Sequence, residues 1–311
     1  MAAPAVPSPK EQVIPAAENL FKGLLLVALV AASFFAADWL FRQASPLKWL
    51  PIALLGVANV VFLTGMGALA HDAVHRVLFR SAFWNDVGGG LLSALTLIPF
   101  QANRQFHLTH HGYAHQPGLD PECAMHDRPF ALAAALGATI GLHAQYRLYF
   151  ANLVRGDRRS AWRGAQDTFF IGVAAAVYFV LVPAAGLSLW PTVLPLVIAF
   201  PPVFAFRAMS DHYGLPAVAS QAKQREEIFD ADEKGWETDR TRVTGWVVLT
   251  SPWLEWLWSH VNYHEVHHKY PYLSHRYLPQ VYAATRDTYP YRVVRGYWRS
   301  LLALRKLSYY G

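Results

Sequence analysis

Long apolar segments without charge are the feature that most limits the folds open to this chain. Residues 51–70 carry no charged side chain, and residues 168–206 carry none over 39 positions. Residues 20–41 are similar, with Lys22 and Asp38 near the ends. About 20 apolar residues in a helix span the ~30 Å hydrocarbon core of a bilayer. The sequence therefore predicts an integral membrane protein, although 311 residues would also allow one or two soluble domains.

We predict an all-α membrane fold with four transmembrane helices in two hairpins. Gly186, Pro191 and Pro195 interrupt the long uncharged segment, which therefore reads as two helices. The predicted spans are about residues 20–41, 50–70, 168–185 and 190–206. The polar segments 71–167 and 207–311 would form a helical cap, and we expect the whole chain, 1–311, to be one domain.

The distribution of basic residues predicts the orientation of these helices. Residues 70–167 contain nine Arg, and residues 207–311 contain fourteen Lys and Arg. The connection at 186–191 contains none. Lys and Arg mark the cytoplasmic side of membrane proteins, so we expect a multi-pass protein with the cap and both termini in the cytoplasm. The net charge of +6 is explained in this way and does not call for a nucleic-acid partner.

Eight of the 14 histidines fall into three tight clusters. An HxxHH pattern should arise by chance only roughly 0.03 times at this histidine content, and the chain has two. On a helix, positions i, i+3 and i+4 share a face, so we expect each cluster to point at one spot. Imidazole suits iron, copper and zinc, and eight imidazoles are about the number for two ions. The clusters are His71 and His75; His107, His110 and His111; and His264, His267 and His268.

Two other interpretations of these histidines remain open. Residues 264–268 also satisfy HExxH, in which His264 and His268 would bind zinc and Glu265 would be the general base of a peptidase. That interpretation leaves the other two clusters unexplained. A metal transporter would place its histidines inside the spans, facing a pathway, whereas the predicted spans contain none.

The three clusters, in this order relative to two hairpins, resemble the membrane fatty-acid desaturase superfamily, which also includes acyl and carotenoid hydroxylases and ketolases. The resemblance covers about residues 20–279. It implies two Fe ions on a cytoplasmic cap, O2 as co-substrate and externally supplied electrons. The family's further ligand after the fourth span corresponds to His212. Some members place an asparagine four residues before it, where this chain has Ala208.

Several polar residues beside the clusters are candidates for orienting the ligands, because a metal-bound histidine usually donates its other N–H to a carboxylate or carbonyl. We assign no catalytic residue beyond the metal ligands themselves. His115, one turn after His111, is a candidate for an extra or outer ligand. The candidates are Asp72, His115, Asp120, Glu122, Asp211, Asn262 and Glu265.

The expected reaction is O2-dependent desaturation of a long acyl chain drawn from the bilayer, with carotenoid or acyl hydroxylation or ketolation as the alternative. We expect no fused electron-transfer domain, so electrons would come from a separate ferredoxin, rubredoxin or cytochrome b5 type carrier and its reductase. Three shorter apolar segments, 87–103, 130–146 and 243–254, would split the clusters across the membrane if they spanned it. We therefore expect them to be interfacial or re-entrant helices.

Overall fold

The computed structural model describes residues 6–217 and 243–310, and this part of the chain is mostly helical. The charged segment 223–242, which we interpret from sequence as a solvated loop or helix face, lies outside the described residues. The elements are α1 (Ala16–Phe41), α2 (Trp49–Val74), α3 (Ala82–Ala94), α4 (Phe100–Tyr113), α5 (Cys123–His126), α6 (Phe130–Val154), α7 (Arg158–Ala176), α8 (Val182–Ala184), α9 (Trp190–His212), β1 (Trp246–Leu249), α10 (Pro252–Leu257), α11 (His264–Lys269), α12 (Leu278–Thr285), β2 (Arg292–Arg295) and α13 (Tyr297–Leu304).

Three helices in the described residues are long and apolar enough to cross a membrane. They cover Ala16–Phe41, Pro46–Val74 and Arg158–Ala184, the last joining α7 and α8 through a π-helical turn at Val177–Leu181. They contain the first three predicted spans, so the chain is a membrane protein. The fourth predicted span lies within α9, a 23-residue helix that is not among these three by the same criteria.

The connections of the two predicted hairpins lie next to each other. The Arg42 guanidinium donates a hydrogen bond to the carbonyl of Gly186 (2.6 Å), and the backbone N–H of Ser188 donates to Asp38 (2.8 Å). The first connection follows α1 and the second precedes α9. Both turns therefore occupy the same end of the helices, as two hairpins require.

The far ends of these helices carry histidines, because the helices continue from the predicted spans into the predicted cap. Helix α2 continues to Val74 and contains His71, and α9 ends at His212 itself. The predicted spans stopped at residues 70 and 206. The run of apolar residues ends before the helix does, because buried polar residues form the last turn of the helix. The long helices thus hold part of the site directly.

Close helix packing fixes α3 against its neighbours. A Cβ added to Gly89 would lie 2.2 Å from the ring of Phe100, and one on Gly90 would lie 2.1 Å from the ring of Phe170. Any side chain here would push α3 away from α4 and α7. These glycines therefore allow the contacts that keep α4, which carries the second histidine cluster, beside the long helices.

The segment 243–254 corrects a prediction, since we expected an interfacial or re-entrant helix there. It forms strand β1, which pairs in parallel with β2, and only its end enters the short helix α10. Each strand contains adjacent valines, Val247–Val248 and Val293–Val294, and β-branched residues favour strands. An isolated β-bridge pairs Val247 of β1 with Tyr263, the residue just before α11, and so holds the two-stranded sheet beside that helix.

Candidate metal centre

Five histidines from α2 and the residue that caps its end, from α4 and from α11 converge on one point. Their ligand atoms all lie within 4.8 Å of one another. The Nε2 atom of His107 is 3.0 Å from Nε2 of His75 and 2.9 Å from Nε2 of His111. Nε2 of His111 is in turn 3.0 Å from Nε2 of His267. We call this set the five-histidine group: His71, His75, His107, His111 and His267.

Four buried histidines from α4, α9 and α11 converge on a second point. The Nε2 atom of His110 is 3.1 Å from that of His212 and 3.3 Å from that of His268. The Nε2 atom of His264 is 2.8 Å from that of His212. We call this set the four-histidine group: His110, His212, His264 and His268.

The close approach of these nitrogens fits metal binding and does not fit hydrogen bonding. A neutral imidazole nitrogen either donates one hydrogen bond or accepts one. The Nε2 atoms of His107, His111, His110 and His212 each face two other Nε2 atoms, so some of these contacts cannot be hydrogen bonds. Nitrogens bound at ~2.1 Å to one cation in octahedral geometry lie ~3 Å apart. The donor set and its spacing therefore fit one cation in each group.

The structure corrects our expectation that each HxxHH cluster points at one spot. His107 and His111 belong to one group and His110 to the other, while His264 and His268 belong to one and His267 to the other. Successive helical residues are rotated by about 100°, so positions i and i+4 differ by only ~40° but i+3 and i+4 differ by ~100°. Each cluster thus divides, and α4 and α11 both contribute to both groups.

Burial keeps most of these imidazoles in the neutral form that binds metals. It lowers the pKa of His107, His111, His264, His267 and His268 below the ordinary histidine value. His110 differs: burial lowers its pKa, but Asp120 and Glu122 raise it to about 9. These carboxylates favour positive charge at His110, and a cation bound to Nε2 would supply that charge.

Asp120 orients His110 and the loop beyond it. Its Oδ1 accepts a hydrogen bond from Nδ1 of His110 at 2.9 Å, which leaves Nε2 for a metal. Oδ2 accepts from the backbone N–H of His115 (2.9 Å) and from the hydroxyl of Tyr309 (3.3 Å). This is the carboxylate–histidine arrangement of metal sites, and it supports the predicted role of Asp120. The distant partner Tyr309 was not predicted.

His212 is oriented by a backbone carbonyl that Glu265 holds in place. Nδ1 of His212 donates to the carbonyl of Thr244 at 2.7 Å. Glu265 accepts hydrogen bonds from the backbone N–H groups of Thr244 (2.9 Å) and Gly245 (2.6 Å) and from the hydroxyl of Tyr289. The Glu265 carboxylate therefore supports the loop and does not face the histidines. This geometry disagrees with Glu265 as the general base of a peptidase.

The other predicted orienting residues lie at varied distances from the two groups. Asp211 pairs with Arg207 at 2.8 Å, and its Oδ2 lies 3.5 Å from Nδ1 of His264. Asp72 contacts Nδ1 of His275 at 2.5 Å, a histidine that has no spacing signal in the sequence. The side chain of Asn262 donates to the carbonyl of Val248 and so fastens the sheet.

His115 lies outside both histidine groups. Its ring stacks on Tyr309 with the ring centroids 5.1 Å apart, and its centroid is 5.4 Å from that of His212. Its φ of 59° is in the left-handed region. The structure therefore places His115 beside the four-histidine group without bringing its ring nitrogens into it.

An apolar cavity of about 330 Å³ lies between the long helices. Leu63 of α2 and Phe204 of α9 line it, each eight residues before a histidine of the site. Leu142 of α6 and Tyr178 of the π-helical turn form other walls. Among the described residues, no charged side chain lines this cavity. Its size is within the usual range for ligand pockets, and its lining suits an apolar ligand.

Comparisons with known proteins agree with this arrangement. The family model for fatty acid desaturases matches residues 47–300. A fatty acid desaturase of Bacillus subtilis (strain 168) is 25% identical over 252 residues, covering 76% of this chain and 69% of that protein.

Two further relatives match over shorter stretches. The dihydrorhizobitoxine desaturase of Bradyrhizobium elkanii is 34% identical over 102 residues, covering 30% of this chain and 28% of that protein. The sn-1 oleoyl-lipid 12-desaturase of Arthrospira platensis is 27% identical over 95 residues, covering 30% and 26%. Because the family model extends from α2 to α13 and includes every histidine of both groups, this membrane oxidoreductase belongs to the fatty acid desaturase family.

Proposed function

We propose that the chain is a di-iron, O2-dependent desaturase of a long acyl chain carried by a membrane lipid. The observation that carries this proposal is the division of nine histidines into two converging groups at one end of long apolar helices. The five-histidine group would hold one iron and the four-histidine group the other. Bound iron would supply the O2 activation needed to attack an unactivated C–H bond.

The proposed reaction converts a CH2–CH2 unit to CH=CH while O2 is reduced to two molecules of water. The acyl chain supplies two electrons and two protons, and an external donor supplies two more electrons, accompanied by two protons from solvent. We expect a ferredoxin, rubredoxin or cytochrome b5 type carrier in that role. The protein's own residues would hold the chain in the apolar cavity and keep the site dry, which limits side reactions.

We further propose four membrane spans, with α9 as the fourth, and with the histidines and both termini on the cytoplasmic side. The shared position of the two hairpin turns supports this arrangement. Helix α2 has 26 residues and a length of ~39 Å, enough to carry the chain from those turns to His71 across a ~30 Å core.

Cysteine accessibility in intact cells tests the topology. Ala44→Cys and Ala185→Cys mark the two turns, and Ser308→Cys marks the histidine end; the native Cys123 is buried and provides the background. An impermeant thiol reagent should label the first two variants before cell lysis and the third only after it. Labelling of all three under the same condition would contradict the four-span arrangement.

Lipid profiling tests the activity. Total fatty acids and carotenoids from a host expressing the chain should be compared with those from a host expressing the His110→Ala variant, both with and without O2. New double bonds in acyl chains, formed only with O2 and the unaltered chain, are the expected result. An unchanged acyl profile with oxygenated carotenoids, or hydroxylated acyl chains, would instead assign the chain to the alternative activities of the superfamily.

A further inference from the structure

Glu122 differs from the other carboxylates around the four-histidine group in the atoms that it faces. Its Oε2 lies 3.9 Å from Nε2 of His110 and 3.9 Å from Nε2 of His212. These are the nitrogens that converge within the group. Asp120 and Asp211 instead face Nδ1 atoms, on the opposite side of the rings. Glu122 therefore approaches the position of the ion itself.

The separation of 3.9 Å defines what Glu122 can do there. The closest nitrogens within the group are 2.8–3.3 Å apart, and Glu122 is not among the residues whose ligand atoms all lie within 4.8 Å of one another, so its carboxylate lies outside the set of converging ligands. A polar separation above 3.5 Å leaves room for a solvent molecule that bridges the two groups. Four histidines also leave coordination positions open on an ion that accepts five or six ligands.

We propose that the Glu122 carboxylate faces the open coordination side of the four-histidine ion and accepts a hydrogen bond from the exchangeable solvent ligand bound there. This inference rests on the proposed metal centre and adds a positioning residue to it. It also assigns the exchangeable position to the four-histidine ion rather than to the ion of the five-histidine group.

The surroundings of Glu122 keep its carboxylate aimed at the site. Its backbone N–H donates to Oδ1 of Asp120 at 2.9 Å, the same oxygen that accepts from His110. Its Oε1 lies 3.8 Å from Nδ1 of His107, and its side chain is 14% exposed. One carboxylate, Asp120, thus fixes both a histidine of the group and the backbone that carries Glu122.

A negative charge at this position should weaken the binding of small anions to the open side of the ion. The test therefore uses azide as the probe and purified full-length protein loaded with Co(II), whose visible absorption reports the ligands of the ion. Glu122→Gln removes the charge with almost no change of shape, and Glu122→Asp keeps it. Asp211→Asn is the matched control, because Asp211 faces Nδ1 and its charge is balanced by Arg207 at 2.8 Å.

We expect two Co(II) per chain in all four proteins. Glu122→Gln should bind azide at least ten-fold more tightly than the unaltered chain, whereas Glu122→Asp and Asp211→Asn should stay within about three-fold. Unchanged azide affinity in Glu122→Gln, or equal tightening in Asp211→Asn, would overturn the role of Glu122. Absence of Co(II) from the unaltered chain would instead count against the proposed metal centre.

Discussion

The two histidine groups share α4 and α11 but differ in how their members are held. In the four-histidine group, His110 is bound by Asp120 and His212 by the carbonyl of Thr244. In the five-histidine group, Nδ1 of His107 is 3.8 Å from Glu122, and Nδ1 of His111 has no hydrogen-bond partner among the described residues. Nδ1 of His264 also lacks a hydrogen-bond partner among the described residues, so the four-histidine group has two members, His110 and His212, that are held by hydrogen bonds at Nδ1.

This difference suggests that the two groups would hold their ions by different means. Hydrogen bonds from carboxylates and carbonyls fix the tautomer and orientation of a ligand histidine and raise its basicity. The four-histidine group depends on such contacts, whereas the five-histidine group has an additional imidazole. Four ligands with open positions suit the exchange of small molecules, and five histidines suit a more closed ion.

The largest expected effect is the loss of a ligand, and it should differ between the groups. His110→Ala leaves three histidines in its group and should reduce the iron content from about two to about one per chain. His267→Ala leaves four in the other group and should retain most of its iron. We expect both variants to insert in the membrane and to lose at least 100-fold in activity. Loss of an outer contact typically costs about 10–100-fold, and loss of a ligand should cost at least the upper end of that range.

Iron analysis of the purified variants, together with the fatty-acid profile of expressing cells, checks this prediction. His143→Ala is a suitable control, because His143 belongs to neither group. Equal iron loss in both ligand variants would remove the difference between the groups. Full activity in either would contradict the assignment of these histidines as ligands.

The sequence predicts which histidines form the site better than it predicts how they are divided. Spacing predicted eight of the nine histidines that the structure brings together, and resemblance to the desaturases added His212. The division between groups depends on the rotation of α4 and α11 relative to the long helices, and no local pattern encodes that rotation. The roles of Thr244 and Tyr309 depend on contacts with His212, 32 residues away, and with Asp120, 189 residues away.

The fold shows the same limit. Long apolar segments identified the membrane helices, because burial in lipid requires continuous hydrophobic length. The strand at Trp246–Leu249 could not be distinguished from a short apolar helix, because periodicity is ambiguous in so few residues. Its partner Arg292–Arg295 lies 46 positions later in the chain.

A smaller effect is expected from the outer contact of His110. Asp120→Asn removes a charged acceptor from Nδ1 of His110, and such changes typically weaken metal binding by about 10–100-fold. The loss should fall on the ion of the four-histidine group, measured as release of one iron per chain during titration with a chelator. Asp127→Asn, an exposed carboxylate in the same segment, should behave like the unaltered chain. Matching chelator curves for the two variants would contradict the dependence of this group on Asp120.

The smallest effect is expected at Tyr289, three hydrogen bonds away from His212. Tyr289→Phe removes the hydroxyl that donates to Glu265, and one hydrogen bond typically contributes about 1 kcal/mol to stability. Thermal unfolding should show a modest decrease in midpoint, while the iron content stays near two and activity falls only a few-fold. Glu265→Gln should be more damaging, because the amide has only one acceptor oxygen for three donors, but it should retain measurable activity. Complete loss of activity in Glu265→Gln with intact metal binding would support a catalytic carboxylate instead.

The most direct test of the account is the Mössbauer spectrum of the protein purified from cells grown on 57Fe, with total metal measured on the same sample. Two histidine groups with different ligand numbers predict about two irons per chain and two quadrupole doublets of equal area. His110→Ala should remove one doublet and leave the other. One iron or one zinc per chain, or a single doublet for both irons, would contradict two distinct sites built from five and four histidines.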